Sequence, residues 1–189
     1  MNIIAGCARN LILADLPDCE VRPTSGRARK ALFDSLGDLS GAGILDLCSG
    51  SGALALEAAS RNAAWAAMVE IDPAHVECIR ENCRRITAAG AGTNLLILNF
   101  DICSCRRYLP QLPGKPDVIF ADPPYAVSAK LFNTLAGDPD FTTFTSGAKL
   151  IWEIPDTPGA MGEFINAPHL KSSQFRRFGS TIFLQGIIR

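Results

Sequence analysis

The residues best suited to chemistry stand together in "DVIFADPPYAV", Asp117 to Val127. Val118 to Ala121 form a short apolar run of the kind that makes a buried strand, and Asp122, Pro123, Pro124 and Tyr125 follow it directly. The two prolines have no backbone N–H, so the turn offers acceptors only. Asp122 precedes a proline and is pushed toward an extended conformation, which aims its carboxylate outward. Such a corner is built to hold an amino group. Tyr125 adds a flat face on which a base could stack, an interaction typically worth about 1–3 kcal/mol. A base turned out of its helix would donate its exocyclic NH2 to the Asp122 carboxylate and the Pro123 carbonyl. Those bonds would aim the nitrogen lone pair at an electrophilic carbon, with Asp122 stabilising the positive charge that develops.

A partner for that nitrogen is signalled earlier, in "DLCSGSGALALEAASR". Gly50-Ser51-Gly52 opens a helix, and Glu70 ends the next apolar run about 20 residues on, the spacing of a nucleotide-binding fingerprint. Glycines there let the backbone approach a ligand closely. Asp46, four residues before Gly50, decides which ligand: its carboxylate would repel a pyrophosphate and favour a cation. S-adenosylmethionine fits, having an ammonium, a sulfonium and a ribose diol for Glu70, and no phosphate. Asp101 could accept from the adenine amino group, with Ile71 and Ile102 sandwiching the ring. A nicotinamide oxidoreductase is disfavoured by Asp46. His75 and His169, the only histidines, belong to no motif.

The elements that must position these groups alternate. Apolar runs at Gly43–Cys48, Ala66–Ile71, Asn94–Asn99, Asp117–Asp122 and Ala148–Ile154 read as strands buried on both faces. Helical segments separate them. In "DPAHVECIRENCRRI", Asp72 is placed as an N-cap, Pro73 opens the first turn, and Val76, Ile79, Cys83 and Ile86 make one apolar face. Strand and helix in alternation predict an α/β fold, an open, mostly parallel sheet with helices on both faces. From Ser172 onward the pattern becomes two strands joined at Phe178-Gly179-Ser180, a closing hairpin. The first 37 residues read as an appendage to the core at 38–189. They comprise a hairpin turning near Gly6 to Asn10, then an amphipathic helix with Ala28, Ala31, Leu32 and Leu36 inward and Arg27, Arg29 and Lys30 outward.

Composition excludes several classes. Apolar residues make up 48% of the 189 and charged residues 20%, as in an ordinary soluble globular protein. No apolar run approaches the ~18 residues of a membrane span, and the N-terminus lacks the layout of a signal peptide. Seven scattered cysteines, with no repeated CxxC pair, read as reduced cytoplasmic thiols, and no metal site is expected. The net charge of −1 argues against binding nucleic acid by bulk electrostatics, though a local basic patch remains compatible with it.

With these residues in place the sequence resembles a family, the bacterial RsmD-like methyltransferases that modify the guanine exocyclic amine of small-subunit (16S) ribosomal RNA. "VRPTSGRARKALFDSL", "ILDLCSGSGALALEAASRNAAWAAMVEID" and "VIFADPPY" carry the resemblance, with "IIAG" near the N-terminus and "RRFGST" near the end. It implies a Rossmann-like class I fold, three layers with a seven-stranded, mostly parallel sheet and an antiparallel C-terminal hairpin. It implies S-adenosylmethionine held at Asp46, Cys48, Gly50, Ser51, Gly52, Glu70, Ile71, Asp101 and Ile102, with Thr24 near its methionine end. Catalysis falls to Asp122, Pro123, Pro124 and Tyr125, and Arg9, Arg22, Arg27 and Arg29 lie on the RNA side. The implied partner is 16S ribosomal RNA or the small subunit, not DNA, and the enzyme acts as a cytoplasmic monomer. The chain departs from the family in its N-terminal hairpin, where "CARNLIL" has Arg9 alone in place of a basic run, and at Cys48, where an aromatic residue is common. Rival readings are an amino-group methyltransferase acting on adenine or on a protein glutamine, and a catalytically silent RNA-binding assembly factor.

Overall fold

A computed structural model of the chain describes residues 1–17, 26–157, 159–164 and 170–189. Seven strands form one sheet: β1 (Gly43–Leu47), β2 (Trp65–Glu70), β3 (Asn94–Asn99), β4 (Val118–Ala121), β5 (Lys149–Ile154), β6 (Leu170–Phe178) and β7 (Thr181–Ile188). Their order is β3-β2-β1-β4-β5-β7-β6. The first five run parallel, and β7 enters antiparallel between β5 and β6. Among the described residues six α-helices accompany them: α1 (Gly26–Leu36), α2 (Ala53–Ser60), α3 (Pro73–Ala88), the short α4 (Cys105–Tyr108), α5 (Ser128–Gly137) and α6 (Pro139–Phe144). This is the three-layer class I arrangement that the motifs imply.

Consecutive strand residues point to opposite faces, so each apolar run feeds two cores. Leu45, Ile119, Trp152 and Leu184 pack with Phe132 of α5 on one side. Ile44, Phe120, Ile151 and Phe183 pack with Leu32 and Phe33 of α1 and Leu56 of α2 on the other. The helix starts are chemically marked. The Asp72 side chain accepts from Ala74 N, and Asp138 accepts from Asp140 N and Phe141 N, each with proline next in the chain.

Two expectations need correcting. The Asn94–Asn99 run is not buried on both faces: β3 is the sheet's edge, and most of its residues keep partial exposure. Nor does Arg29 face outward. It is 1% exposed, and its guanidinium donates to the Asn2 carbonyl and to the Met1 sulfur. Its long stem spans the inner face of α1, and the folded N-terminus supplies the acceptor that makes burial of the charge tolerable.

The N-terminal hairpin forms, with Asn2 bridged to Ile12 and Asn10 in the left-handed region at φ 70°. It is fastened to α2. The fully buried Glu57 accepts from Ile4 N (2.7 Å), Ala5 N (3.1 Å) and Arg61 Nε (2.9 Å). Ser60 accepts from Ala8 N and donates to the Ala5 carbonyl. These bonds, with Ile3 and Leu13 in the same core as β1 and α2, fix the hairpin beside the sheet. Among the described residues no helix is long and apolar enough to cross a membrane.

Candidate active site

The carboxyl ends of β1, β2 and β4 carry the predicted acids, where an open α/β sheet binds its ligands. Asp46 lies on β1, 1% exposed, with Oδ2 accepting from Ala55 N (3.2 Å) at the start of α2. The chain then turns sharply, with Cys48, Gly50 and Gly52 at φ 59°, 55° and 78°. A Cβ at Gly50 would meet only Leu16, at 3.6 Å, so glycine serves the backbone conformation there and leaves the loop open. At Gly52 a Cβ would lie 3.1 Å from Met68 Sδ, so close packing adds to the requirement. Glu70 braces the loop: Oε2 accepts from Gly50 N (2.8 Å) and Oε1 from Asp72 N (3.0 Å). A carboxylate has about four acceptor positions, so two such bonds leave capacity for hydroxyl groups.

The DPPY turn lies next to this loop. β4 pairs with β1 through Leu47 and Ala121 and with β5 through Ala121 and Trp152, so Asp122 emerges between Cys48 and Glu153. Pro123 is buried, Pro124 is exposed, and Tyr125 begins a short 3-10 turn with its ring 53% exposed. The Tyr125 hydroxyl donates to Glu153 Oε1 at 3.0 Å.

The electrostatics have one sign. Burial pushes the Asp46 carboxyl well above the usual range, and Asp122 and Glu70 add to the shift against the opposing Ala55 N–H. The Cys48 thiol is raised strongly, first by burial, then by Glu70, Asp46, Asp122 and Asp101. Four acidic groups thus act on one point beside the glycine loop. A phosphate would be repelled there, and a ligand with ammonium and sulfonium charges would be attracted. Ile71, 63% exposed next to Glu70, offers an apolar face for an adenine ring. The donor set and charge therefore fit S-adenosylmethionine better than a dinucleotide. Among the described residues no cluster suits a metal ion.

The family profile described as "Conserved hypothetical protein 95" matches residues 1–174. The chain belongs to this family. Within it, the chain is similar to the ribosomal RNA small subunit methyltransferase D of Escherichia coli (strain K12), with 36% identity over 118 residues, 62% of this chain and 55% of that protein. The match thus spans little more than half of that relative. The fold matches a hypothetical protein of Thermus thermphillus, TTHA0928, with a TM-score of 0.76 and 28% identity, covering 100% of this chain and 99% of that one. It also matches the Escherichia coli yhhF structure with a TM-score of 0.70 and 25% identity, covering 100% and 98%.

In this family member the structure brings together Asp46, Cys48, Gly50, Ser51, Gly52, Glu70 and Asp122 to Tyr125. Other expected residues stand differently. Asp101 is exposed, but its Oδ1 already accepts from Cys103 N at 2.8 Å, which shapes the turn after β3. Ile102 does not form an open wall opposite Ile71; it is 4% exposed and packs in the core near Tyr108. Arg9 and Arg27 are exposed, Arg29 is buried, and Arg22 and Thr24 lie outside the described residues. Two residues were missed. Glu153, 4% exposed on β5, holds the Tyr125 hydroxyl; its signal was an acid inside the apolar run "KLIWEI". Asn82, fully buried on α3, donates to the Ser51 carbonyl (2.9 Å) and accepts from Ala14 N (2.6 Å), joining the loop to the N-terminal segment. Its signal was its spacing, three after Ile79 on the apolar face.

Proposed function

We propose that this protein transfers a methyl group from S-adenosylmethionine to the exocyclic N2 amine of a guanine in small-subunit ribosomal RNA, as a cytoplasmic monomer acting on assembled or assembling 30S particles and not on DNA. One observation carries the reading. An acceptor-only DPPY turn stands beside a glycine loop whose surroundings hold four acidic groups and so favour a cationic ligand. The similarity to ribosomal RNA small subunit methyltransferase D supports the substrate class.

When bound, the cofactor supplies an electrophilic methyl carbon on a sulfonium. Glu70 would accept from its ribose hydroxyls, Asp46, the loop backbone and Thr24 would hold its methionine end, and Ile71 and Asp101 would serve the adenine. The Tyr125 ring stacks on the flipped guanine. The Asp122 carboxylate and the Pro123 carbonyl accept the two N–H bonds of the amine. These acceptors would hold the nitrogen lone pair toward the methyl group the cofactor supplies and would stabilise positive charge developing on the nitrogen. The surplus amine proton then leaves to water by way of Asp122.

The test is transfer of labelled methyl to unmodified small subunits, naked 16S RNA and duplex DNA, with Asp122→Ala alongside. Label recovered as 2-methylguanosine from RNA and lost in the variant is the expected result. Label in adenine, in DNA or in protein overturns the substrate. Cofactor binding with no transfer to any acceptor overturns the enzymatic reading in favour of a silent RNA-binding factor.

A further inference from the structure

The basic surface expected on the N-terminal side is thin: Arg29 is buried, and Arg9 is the single cation of the hairpin turn. The far edge of the sheet compensates. The register aligns Lys149, Ile187 and Lys171 in one row across β5, β7 and β6, and Glu153, Phe183 and Arg176 in another. Alternation along β5 and β7, and on β6 the register shift between Lys171 and Gln174, place all six on the face shared with α1 and α2, because Ile151, Phe183 and Phe178 pack into that core. Lys171 and Arg176 are exposed and Lys149 is partly so. The two rows are four residues apart on β5 and β7, about 13 Å at ~3.3 Å per residue. The upper row leads through the buried Glu153 to Asp122, so the strip ends at the catalytic turn.

Among the described residues, none of these three cations forms an ion pair. The contrast is local. Arg177, on the opposite face of β6, is clamped by Asp156, and Arg80, Arg84 and Arg85 on α3 pair with Glu77 and Glu81. Burial and then the charge of Arg176 hold the Lys149 ammonium below its ordinary value, as expected for like charges left uncompensated. Arg176 is steadied over the Phe178 ring, 5.7 Å from its centroid. Charges on an edge strand also discourage pairing with other sheets, and the bulge between Lys171 and Gln174 already serves that end. The alignment toward the active end is what edge protection leaves unexplained.

We propose that Lys149, Lys171 and Arg176 form a docking strip for the phosphate backbone of the RNA whose base enters the DPPY pocket. This rests on the RNA substrate proposed above. The strip grips backbone and not sequence, so it acts on affinity. The strip also keeps phosphates clear of the acids at the strand ends.

The experiment measures binding of an unmodified 16S transcript, and of unmodified small subunits, over a range of salt. It compares the wild type, a Lys149→Gln/Lys171→Gln/Arg176→Gln triple variant, the single Arg176→Gln, and an Arg80→Gln/Arg84→Gln control. Losing three phosphate contacts should lower the slope of log K against log salt by about 2. It should also raise KM for RNA at least about tenfold with kcat within about twofold, and Arg176→Gln should give part of each change. The control should match the wild type. A triple variant with unchanged slope and KM overturns the strip, as does one that aggregates while keeping its RNA affinity. Loss of subunit binding with transcript binding intact would assign the surface to a ribosomal protein and overturn the RNA proposal. Wild-type binding with the expected slope loss but no methylation would sink the proposed reaction and leave the strip standing.

Discussion

The hydroxyl of Tyr125 donates to Glu153 Oε1 across 3.0 Å, tying the exposed tyrosine of the DPPY turn to a buried acid on β5. In the proposed role of stacking on a base, the ring gains from such anchoring, because a ring held in place loses less freedom on binding.

The bond has a spectroscopic signature. Burial, then the Glu153 carboxylate and its hydrogen bond, push the Tyr125 phenol well above its ordinary value near 10. The chain's other tyrosine, Tyr108, is raised mainly by burial. A raised phenol favours the neutral form in the fold. Its contribution is complete below the unfolded value and fades as pH rises through the folded one. Alkaline absorbance titration should therefore show neither tyrosine ionising in the ordinary range. In Glu153→Gln one of the two should titrate earlier, and that early step should vanish in Glu153→Gln/Tyr125→Phe. An unchanged titration would mean that the carboxylate does not govern the ring.

Asp122 is assigned to the reacting amine and not to the cofactor. Asp122→Ala should lower kcat at least about a hundredfold, roughly 2.7 kcal/mol of barrier. Cofactor affinity by calorimetry should change little. An equal loss of cofactor affinity would contradict the assignment.

The sequence displayed the candidate site at the strand ends because its chemistry is local. Asp46 lies near the end of β1, Gly50 and Gly52 in the turn after it, Glu70 at the end of β2 and Asp122 just after β4, and one parallel sheet carries those strand ends to one side. What the sequence hid depends on partners far along the chain. Arg29 reads as a solvated helix residue because its acceptor, the Asn2 carbonyl, reaches it only after the hairpin folds back. Glu153 reads as one more strand residue until β5 is laid beside β4. Ile102 was assigned by its place after β3, but the turn made by Asp101 and Cys103 directs it into the core.

Glu70 has a double task, since Gly50 N and the proposed ribose share its carboxylate. Glu70→Gln keeps the size of the group but replaces half of its acceptor capacity with donors. The expected result is a rise of at least about tenfold in the Kd for S-adenosylmethionine, about 1.4 kcal/mol. Turnover at saturating cofactor should stay within a few-fold. A fall in kcat with Kd unchanged would place Glu70 outside the cofactor site.

Gly6 separates two reasons for glycine. Its φ is +83°, and a Cβ there would sit 1.7 Å from the Ser60 carbonyl oxygen. Gly37 has a similar φ of +79°, with nothing within 4 Å of a Cβ. Gly37→Ala should cost only the left-handed strain, about 1–2 kcal/mol. Gly6→Ala should cost more, because the hairpin must move off α2 and break the Cys7 N and Ala8 N bonds to Ser60. Urea unfolding should rank the two in that order. Equal losses would show that hairpin docking contributes nothing beyond the backbone strain.

Asp46 links the acid cluster to the charge of the ligand. Burial first, then Asp122 and Glu70, hold its carboxyl well above the usual range, so the ligand-free fold favours the protonated form. That preference stabilises the ligand-free protein below the unfolded value and is lost as pH rises through the folded one. A cationic ligand reverses it by favouring the carboxylate. Binding S-adenosylmethionine at a pH where the raised carboxyl still holds its proton should then release up to one proton, and affinity should rise with pH there. Calorimetry in buffers of different ionisation enthalpy reads this directly, because the observed heat shifts with the protons taken up by the buffer. Asp46→Asn should abolish the dependence and weaken binding. Heats that do not vary with buffer in the wild type would mean that Asp46 is ionised before the ligand arrives, and that the other acids and the glycine loop draw it in.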